Sequence, residues 1–186
     1  DYETVSLIIK KQRFYDWALA RKYPVPRSWN SFDIEKIPAD VFPIVAKPEY
    51  RRTASNNMES DYRAKILDKM RLTIIRNRNE LTDFITTNHN IITNFLFQEY
   101  IEGLSDRMYT VGIYANRKYD VLAMFTGRKV RGFPPDYGDC VVGQVENVPE
   151  ELKSLVKNIC KEIKYSGIAE FEFKKDARTN EFKLIE

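Results

Sequence analysis

The sequence predicts an α+β fold organised as two lobes. Three observations carry that expectation. The first half mixes helical periodicity with short apolar runs. The second half alternates apolar and polar residues over several segments, the pattern of an antiparallel sheet. One helix, opened by a proline, interrupts those segments. The chain has 186 residues, 43% hydrophobic and 31% charged, enough for one sizeable domain or two small lobes sharing a core.

In order along the chain, residues 4–22 read as a helix, with Leu7, Ile8, Phe14, Trp17 and Ala18 at roughly helical spacing. Pro24 and Pro26 stop it, and a loop is expected to Pro38. FPIVAK (42–47), closed by Pro48, reads as a buried strand. PEYRRTASNNMES is polar and irregular, DYRAKILDKM suits a helix, and LTII (72–75) suits a strand. Asn79 is a candidate cap for a helix over LTDFITT. FLFQEYI (95–101), MYTVGIYA (108–115), YDVLAMFTGRKV (119–130) and DCVVGQVE read as strands, with a hairpin at NRK. A helix runs from NVPE to about Tyr165, and AEFEFKKDARTNEFKLIE closes the chain as two strands joined by a turn.

Composition narrows the function. Thirty basic against 27 acidic residues give +3, too even to imply nucleic-acid binding, and the basic runs are local. Cys140 and Cys160 lack CxxC spacing, so a zinc site is not expected and a reduced cytoplasmic protein is. No apolar run approaches the ~20 residues of a membrane helix. His89 is the only histidine and lies in the polar stretch TTNHN, which argues against Ser-His or Cys-His catalysis. The chain starts at Asp1 without Met and stops at Glu186 inside a strand pattern, so a fragment of a longer protein, cut at both ends, is expected.

The closing strands carry the chemistry. Alternation puts Glu170 and Glu172 on one face and Glu186 level with Leu184. Paired strands bring Glu172 and Glu186 to one point. Carboxylates converging from neighbouring strands suit Mg²⁺, which takes them together with substrate phosphates. Spacing alone also fits an ordinary solvated hairpin. Lys47, at the end of a buried strand, either aims a compact charge at phosphates or snorkels to water.

Four features occur in order: Lys11 thirteen residues before Pro24, Lys47 closing FPIVAKP, FQEYIEG, and EFEF…KLIE. Together they resemble the ATP-grasp fold of carboxylate–amine and carboxylate–thiol ligases, over nearly the whole chain. GRKVRGFPP is most similar to the D-aspartate ligase and carbamoyl-phosphate-synthase-like branch. The resemblance implies a leading helix (1–23), a small lobe with a phosphate-covering loop (24–97) and an incomplete large lobe with an antiparallel sheet (98–186). It makes ATP and Mg²⁺ the cofactors. Lys11 and Lys47 become phosphate-contacting lysines, and Gln98 lies in the adenine hinge. The Glu99 carbonyl is assigned as acceptor there and the Ile101 amide as donor. Asp106 falls where relatives hold the ribose, although a turn aspartate fits equally.

Lys129 and Arg131, which alternation puts on one face with Arg128 on the other, are expected at phosphate or acyl phosphate. Arg128 is expected at the acceptor carboxylate. Glu172 and Glu186 become metal ligands. A third family ligand, an asparagine two residues later, lies beyond Glu186. One departure stands out: the covering loop, EYRRTASNNMES, contains no glycine. Arg51 and Arg52 are candidate substitutes there.

The leading expectation is therefore an ATP-dependent, Mg²⁺-dependent ligase joining a small-molecule carboxylate to an amine through an acyl phosphate. The alternative is a non-catalytic nucleotide-binding ATP-grasp-like module, which the missing glycines favour and the paired glutamates oppose. An unrelated basic RNA-binding domain is opposed by aromatics that follow strand alternation. Neither nucleic acid nor membrane is expected as a partner.

Overall fold

The computed structural model describes residues 2–49, 72–133 and 138–186. The expected helix over 4–22 is two helices, α1 (Tyr2–Ile9) and α2 (Lys11–Ala20), separated at Lys10. The chain divides into two units. One, here the N-terminal unit, comprises Leu7–Trp17 and Pro26–Tyr100. The other, the C-terminal unit, comprises Asp1–Ser6, Ala18–Val25 and Ile101–Glu186. The expected DYRAKILDKM helix and most of the glycine-free loop, including Arg51 and Arg52, lie outside the described residues.

The N-terminal unit contains a four-stranded antiparallel sheet of order β1 (Ser28–Asn30), β4 (Phe95–Glu99), β2 (Ile44–Pro48), β3 (Thr73–Ile75). The strand β1 falls inside the stretch expected as loop. SWN is too short to show a period. It is held because its whole length pairs with β4, from Ser28 opposite Gln98 to Asn30 opposite Leu96. One face of the sheet is the core: Ile44, Ala46, Ile75 and Phe97 cluster with Leu81 and Phe84 of α3 (Arg78–Thr87). Phe84 stands edge-on to Phe95 and Phe97, at 5.1 and 6.1 Å between centroids. Each such fully buried side chain contributes roughly 1.5–3 kcal/mol. The cap of α3 is Asn77 rather than Asn79. The Asn77 carboxamide oxygen accepts the Glu80 N–H at 2.9 Å, and the Glu80 carboxylate accepts the Arg76 N–H at 2.9 Å.

The C-terminal unit is built on a five-stranded antiparallel sheet. Its order is β7 (Asp139–Val145), β6 (Val121–Phe133), β5 (Met108–Ala115), β8 (Gly167–Lys175), β9 (Phe182–Leu184). The expected alternation holds along β5 and β8. Val111 pairs with Phe171 and Tyr109 with Phe173, and Val111, Phe171 and Phe173 are buried. The helix α4 (Glu150–Glu162) packs on β5 and buries Leu152, Val156, Ile159 and Cys160. The opposite face of the sheet carries Thr110, Gly112, Glu170 and Glu172, paired across β5 and β8. The β5–β6 hairpin turns on Asn116, whose side-chain oxygen accepts the N–H groups of Lys118 (2.8 Å) and Asp120 (3.0 Å).

Candidate functional site

In the N-terminal unit, Lys47 lies on the sheet face away from the apolar cluster. Ile44 and Ala46 point into that cluster, so alternation sends Val45 and Lys47 the other way. Gln98 stands opposite Val45 and shares their face. The Lys47 ammonium donates to the Tyr15 hydroxyl at 3.0 Å and lies 4.9 Å from the Tyr15 ring centroid. Tyr15 is only 3% exposed, so the ring is a fixed platform. It sits on α2, one helical turn after Lys11, which puts Lys11 and Tyr15 on one helix face. Tyr15, a residue the sequence reading did not single out, thus contacts Lys47 and shares a helix face with Lys11. The Gln98 amide is committed locally, donating to the Ser28 hydroxyl at 3.0 Å.

At the end of β4, the Glu99 N–H donates to the Arg27 carbonyl at 2.9 Å. The Arg27 N–H does not return to the Glu99 carbonyl. It donates to the Glu99 carboxylate at 3.2 Å, which the Arg27 guanidinium also approaches at 3.6 Å. The ladder bond that would occupy the Glu99 carbonyl is therefore diverted. Ile101 is buried, and among the described residues no hydrogen bond reaches its amide.

In the C-terminal unit, Arg128, Lys129 and Arg131 lie on β6, but not on the faces that simple alternation predicts. Arg128 pairs with Gln144 and Lys129 with Gly143, and then Arg131 pairs with Val142. The extra residue, Val130, makes a bulge. Residues opposite one another share a face, so Arg131 rejoins Arg128, and Lys129 stands on the other face with Glu172 and Thr110. The Arg128 guanidinium donates to the Glu146 carboxylate at 2.7 Å and to the Asp106 carbonyl at 3.2 Å. Glu146 also accepts from the Gln144 amide at 2.9 Å. The Arg128 hydrogen bond, then that of Gln144, holds the Glu146 carboxyl below the usual carboxylate range, and Glu146 in turn raises the Arg128 pKa. Lys129 donates to the Gly138 carbonyl at 3.0 Å. Asp106 lies in a single 3₁₀ turn, Ser105–Arg107, with its side chain exposed.

Strict alternation would place Glu186 on the face of Leu184. Leu184 is fully buried opposite Phe173, on the core side. A second irregularity corrects this. The N–H groups of Ile185 (2.8 Å) and Glu186 (3.4 Å) both donate to the Glu172 carbonyl, and the Glu172 N–H donates to the Glu186 carbonyl at 2.7 Å. Two residues thus oppose one, which is a bulge, and it sets Glu186 opposite Glu172. Beside them, the Thr110 hydroxyl donates to Glu170 at 3.1 Å. Two opposed carboxylates fit Mg²⁺, which binds one or two carboxylates plus phosphate oxygens. Among the described residues no group of three or more His, Cys, Asp or Glu is arranged to hold a metal ion, so two is the donor set to consider.

No family model matches the chain. The D-aspartate ligase of Enterococcus faecium is 24% identical to it, matched over 100% of this chain and 45% of that protein. Among solved structures, D-alanine–D-alanine ligase from Bacillus anthracis superposes with a TM-score of 0.59 at 16% identity, over 99% of this chain and 57% of the other. An ATP-grasp ligase, PsnB, complexed with a minimal precursor, gives 0.63 at 15% identity, over 98% of this chain and 53% of that one. The biotin carboxylase domain of Hydrogenobacter thermophilus 2-oxoglutarate carboxylase, in complex with MgADP, ADP and bicarbonate, gives 0.71 at 16% identity, over 100% and 40%. The chain has the ATP-grasp fold.

The chain spans about half the length, 45% and 57%, of the curated relative and of the first of these structures. No helix among the described residues is long and apolar enough to cross a membrane. Within the ATP-grasp fold, the sequence reading missed Tyr15 and Glu146, which hold Lys47 and Arg128. Neither has a local signal: Tyr15 reads as one aromatic among FYDW, and Glu146 as the end of an edge strand.

Proposed function

We propose that the chain forms the nucleotide-binding part of an ATP-dependent ligase that joins a small-molecule carboxylate to an amine. The observation that carries the reading is the bulge at Ile185 and Glu186, which sets a second carboxylate opposite Glu172 on the face that bears Lys129. A bulge at a strand end re-aims a side chain at the cost of regular pairing, and such irregularities concentrate at functional sites. Lys11 and Lys47 are the cations for the ATP phosphates. The Glu99 carbonyl and the Ile101 amide read the adenine edge, since residues two apart in an extended segment present backbone groups to one side. Gln98 braces that segment, and Asp106 takes the ribose hydroxyls.

In the reaction, a substrate carboxylate oxygen attacks the γ-phosphorus, and the bond to the β-phosphate oxygen breaks to release ADP. The amine nitrogen then attacks the acyl phosphate carbon. Phosphate leaves with its C–O bond electrons, and the amine proton passes to solvent. Lys129, which shares the Glu172 face, stabilises charge on the transferring phosphoryl oxygens, whereas Arg131 and Arg128, the latter held rigid by Glu146, stand on the other face and take no part in that transfer. Glu172 and Glu186 would hold Mg²⁺, which when bound neutralises phosphate charge. No side-chain nucleophile is required. The setting proposed is the cytoplasm.

The test is calorimetric titration of ATP into the full-length protein with and without Mg²⁺. Glu172→Gln and Glu186→Gln are expected to remove the Mg²⁺-dependent part of the affinity and leave the remainder. Wild-type Mg²⁺ dependence in both variants would refute the metal assignment. Tight ATP binding without ADP formation, across carboxylate and amine panels, would favour the non-catalytic module.

A further inference from the structure

A groove of about 350 Å³ opens in the C-terminal unit, lined by Val121, Leu122, Met124, Glu150, Lys153 and Lys157 among others. Its first wall is a strand edge that no strand among the described residues covers. The strand β7 pairs with β6 only between Gly127 and Phe133. The Glu146 N–H still reaches the Thr126 carbonyl at 3.3 Å, and the chain then leaves the edge to begin α4 at Glu150. Among the described residues no strand continues that lane beside residues 121–125. Backbone groups alternate between the two edges of a strand, so Met124, two residues from Thr126, presents its N–H and C=O to the open lane. Such an edge is a template for a further strand.

The second wall is α4. Lys153, Lys157 and Lys161 recur every four residues and form one row. Lys153 pairs with Glu150 at 3.2 Å and Lys161 with Asp120 at 3.3 Å. Between them, Lys157 makes no ion pair among the described residues. Four residues of helix rise ~6 Å, and two residues of extended chain advance ~6.6 Å. The lysine row is therefore commensurate with every second residue of a strand in the groove. The other side chains of that strand would neighbour Phe125, which lies opposite Gly112 on the face away from α4 and is 54% exposed.

We propose that this groove binds an extended peptide segment, acidic at alternate positions and apolar between them, which pairs with the edge of β6. The inference is independent of the proposed ligase chemistry. It is tested on the full chain by fluorescence polarisation with a capped, fluorescein-labelled peptide of three Val-Glu repeats. Saturable binding is expected. It should weaken at least tenfold with Lys157→Glu, and comparably when alternate peptide nitrogens are methylated. It should be unchanged by Lys36→Glu, a control in the N-terminal unit. Thermal unfolding of each variant checks that the fold persists. Four results would each overturn the proposal: no binding, equal binding of a Val-Val-Val-Glu-Glu-Glu block peptide, indifference to Lys157→Glu, or preference for inorganic polyphosphate. Concentration-dependent self-association abolished by Lys157→Glu would also overturn it, by assigning the groove to a second copy of the chain.

Discussion

Tyr15→Phe removes one hydroxyl and leaves the ring on which the Lys47 ammonium rests. In the wild type that ammonium donates to the hydroxyl at 3.0 Å and lies 4.9 Å from the ring centroid. A hydrogen bond involving a charged group contributes a net ~1.5–3 kcal/mol. Lys47 is only half-buried, so its ammonium regains water when the hydroxyl goes, and the loss falls to about 1 kcal/mol. The cation–π contact, about 0.5–1 kcal/mol at such a site, is retained. For a chain of this size the expected fall in Tm is about 2–4 °C. If the hydroxyl fixes Lys47 for phosphate binding, the affinity for ATP should fall about fivefold. Tyr15→Leu, which removes the ring as well, should fall further in both measures. Scanning calorimetry and ATP titration on the same samples separate the two effects. A Tyr15→Phe protein with unchanged ATP affinity would refute the claim that the hydroxyl positions Lys47, whatever its Tm.

Two further expectations concern titratable groups. Burial pushes the Cys160 thiol up to about 11, whereas Cys140 is exposed. A thiol reagent at neutral pH should therefore modify one cysteine in the native protein and two in urea, and rapid native modification of both would contradict the packing of α4. Desolvation first, then the 2.6 Å hydrogen bond to Glu162, raises the Tyr23 pKa to about 12. The neutral phenol is the form favoured in the fold, so its contribution is complete below the ordinary value near 10 and is lost as pH rises toward 12. Phenolate absorbance should show Tyr23 titrating late, as a step that Glu162→Gln brings earlier.

Much of this fold is legible because alternation and turn chemistry are local. MYTVGIYA is a strand over the residues that its pattern predicts, Met108–Ala115, and Asn116 closes the hairpin where NRK suggests a turn. The misses have a common cause. Alternation counts residues as if every one were paired, and a bulge inserts one that is not. Val130 moves Arg131 to the face of Arg128, and the bulge at Ile185 carries Glu186 from the face of Leu184 to that of Glu172. The pairing of Glu172 with Glu186 is thus anticipated in its residues, although the alternation applied to Glu186 would have separated them. The strand Ser28–Asn30 is set by tertiary pairing with β4, and the cap falls on Asn77 because its carboxamide reaches the Glu80 N–H. Roles of single side chains such as Tyr15 and Glu146 depend on residues 32 and 18 positions away, which no window of sequence contains.

The measurement that tests the account most directly is thermal unfolding of the full-length protein with Mg²⁺, with ATP and with both, in wild type and in Lys47→Met. A ligand that binds only the native state adds ~2.7 kcal/mol at a hundredfold excess over its Kd. The account predicts a rise in Tm that requires ATP, grows with Mg²⁺ and disappears in Lys47→Met, each rise being measured from that protein's own unliganded Tm, which the lost Tyr15 contacts lower in the variant. An unchanged wild-type Tm at millimolar Mg·ATP, or an equal rise in Lys47→Met, would contradict it.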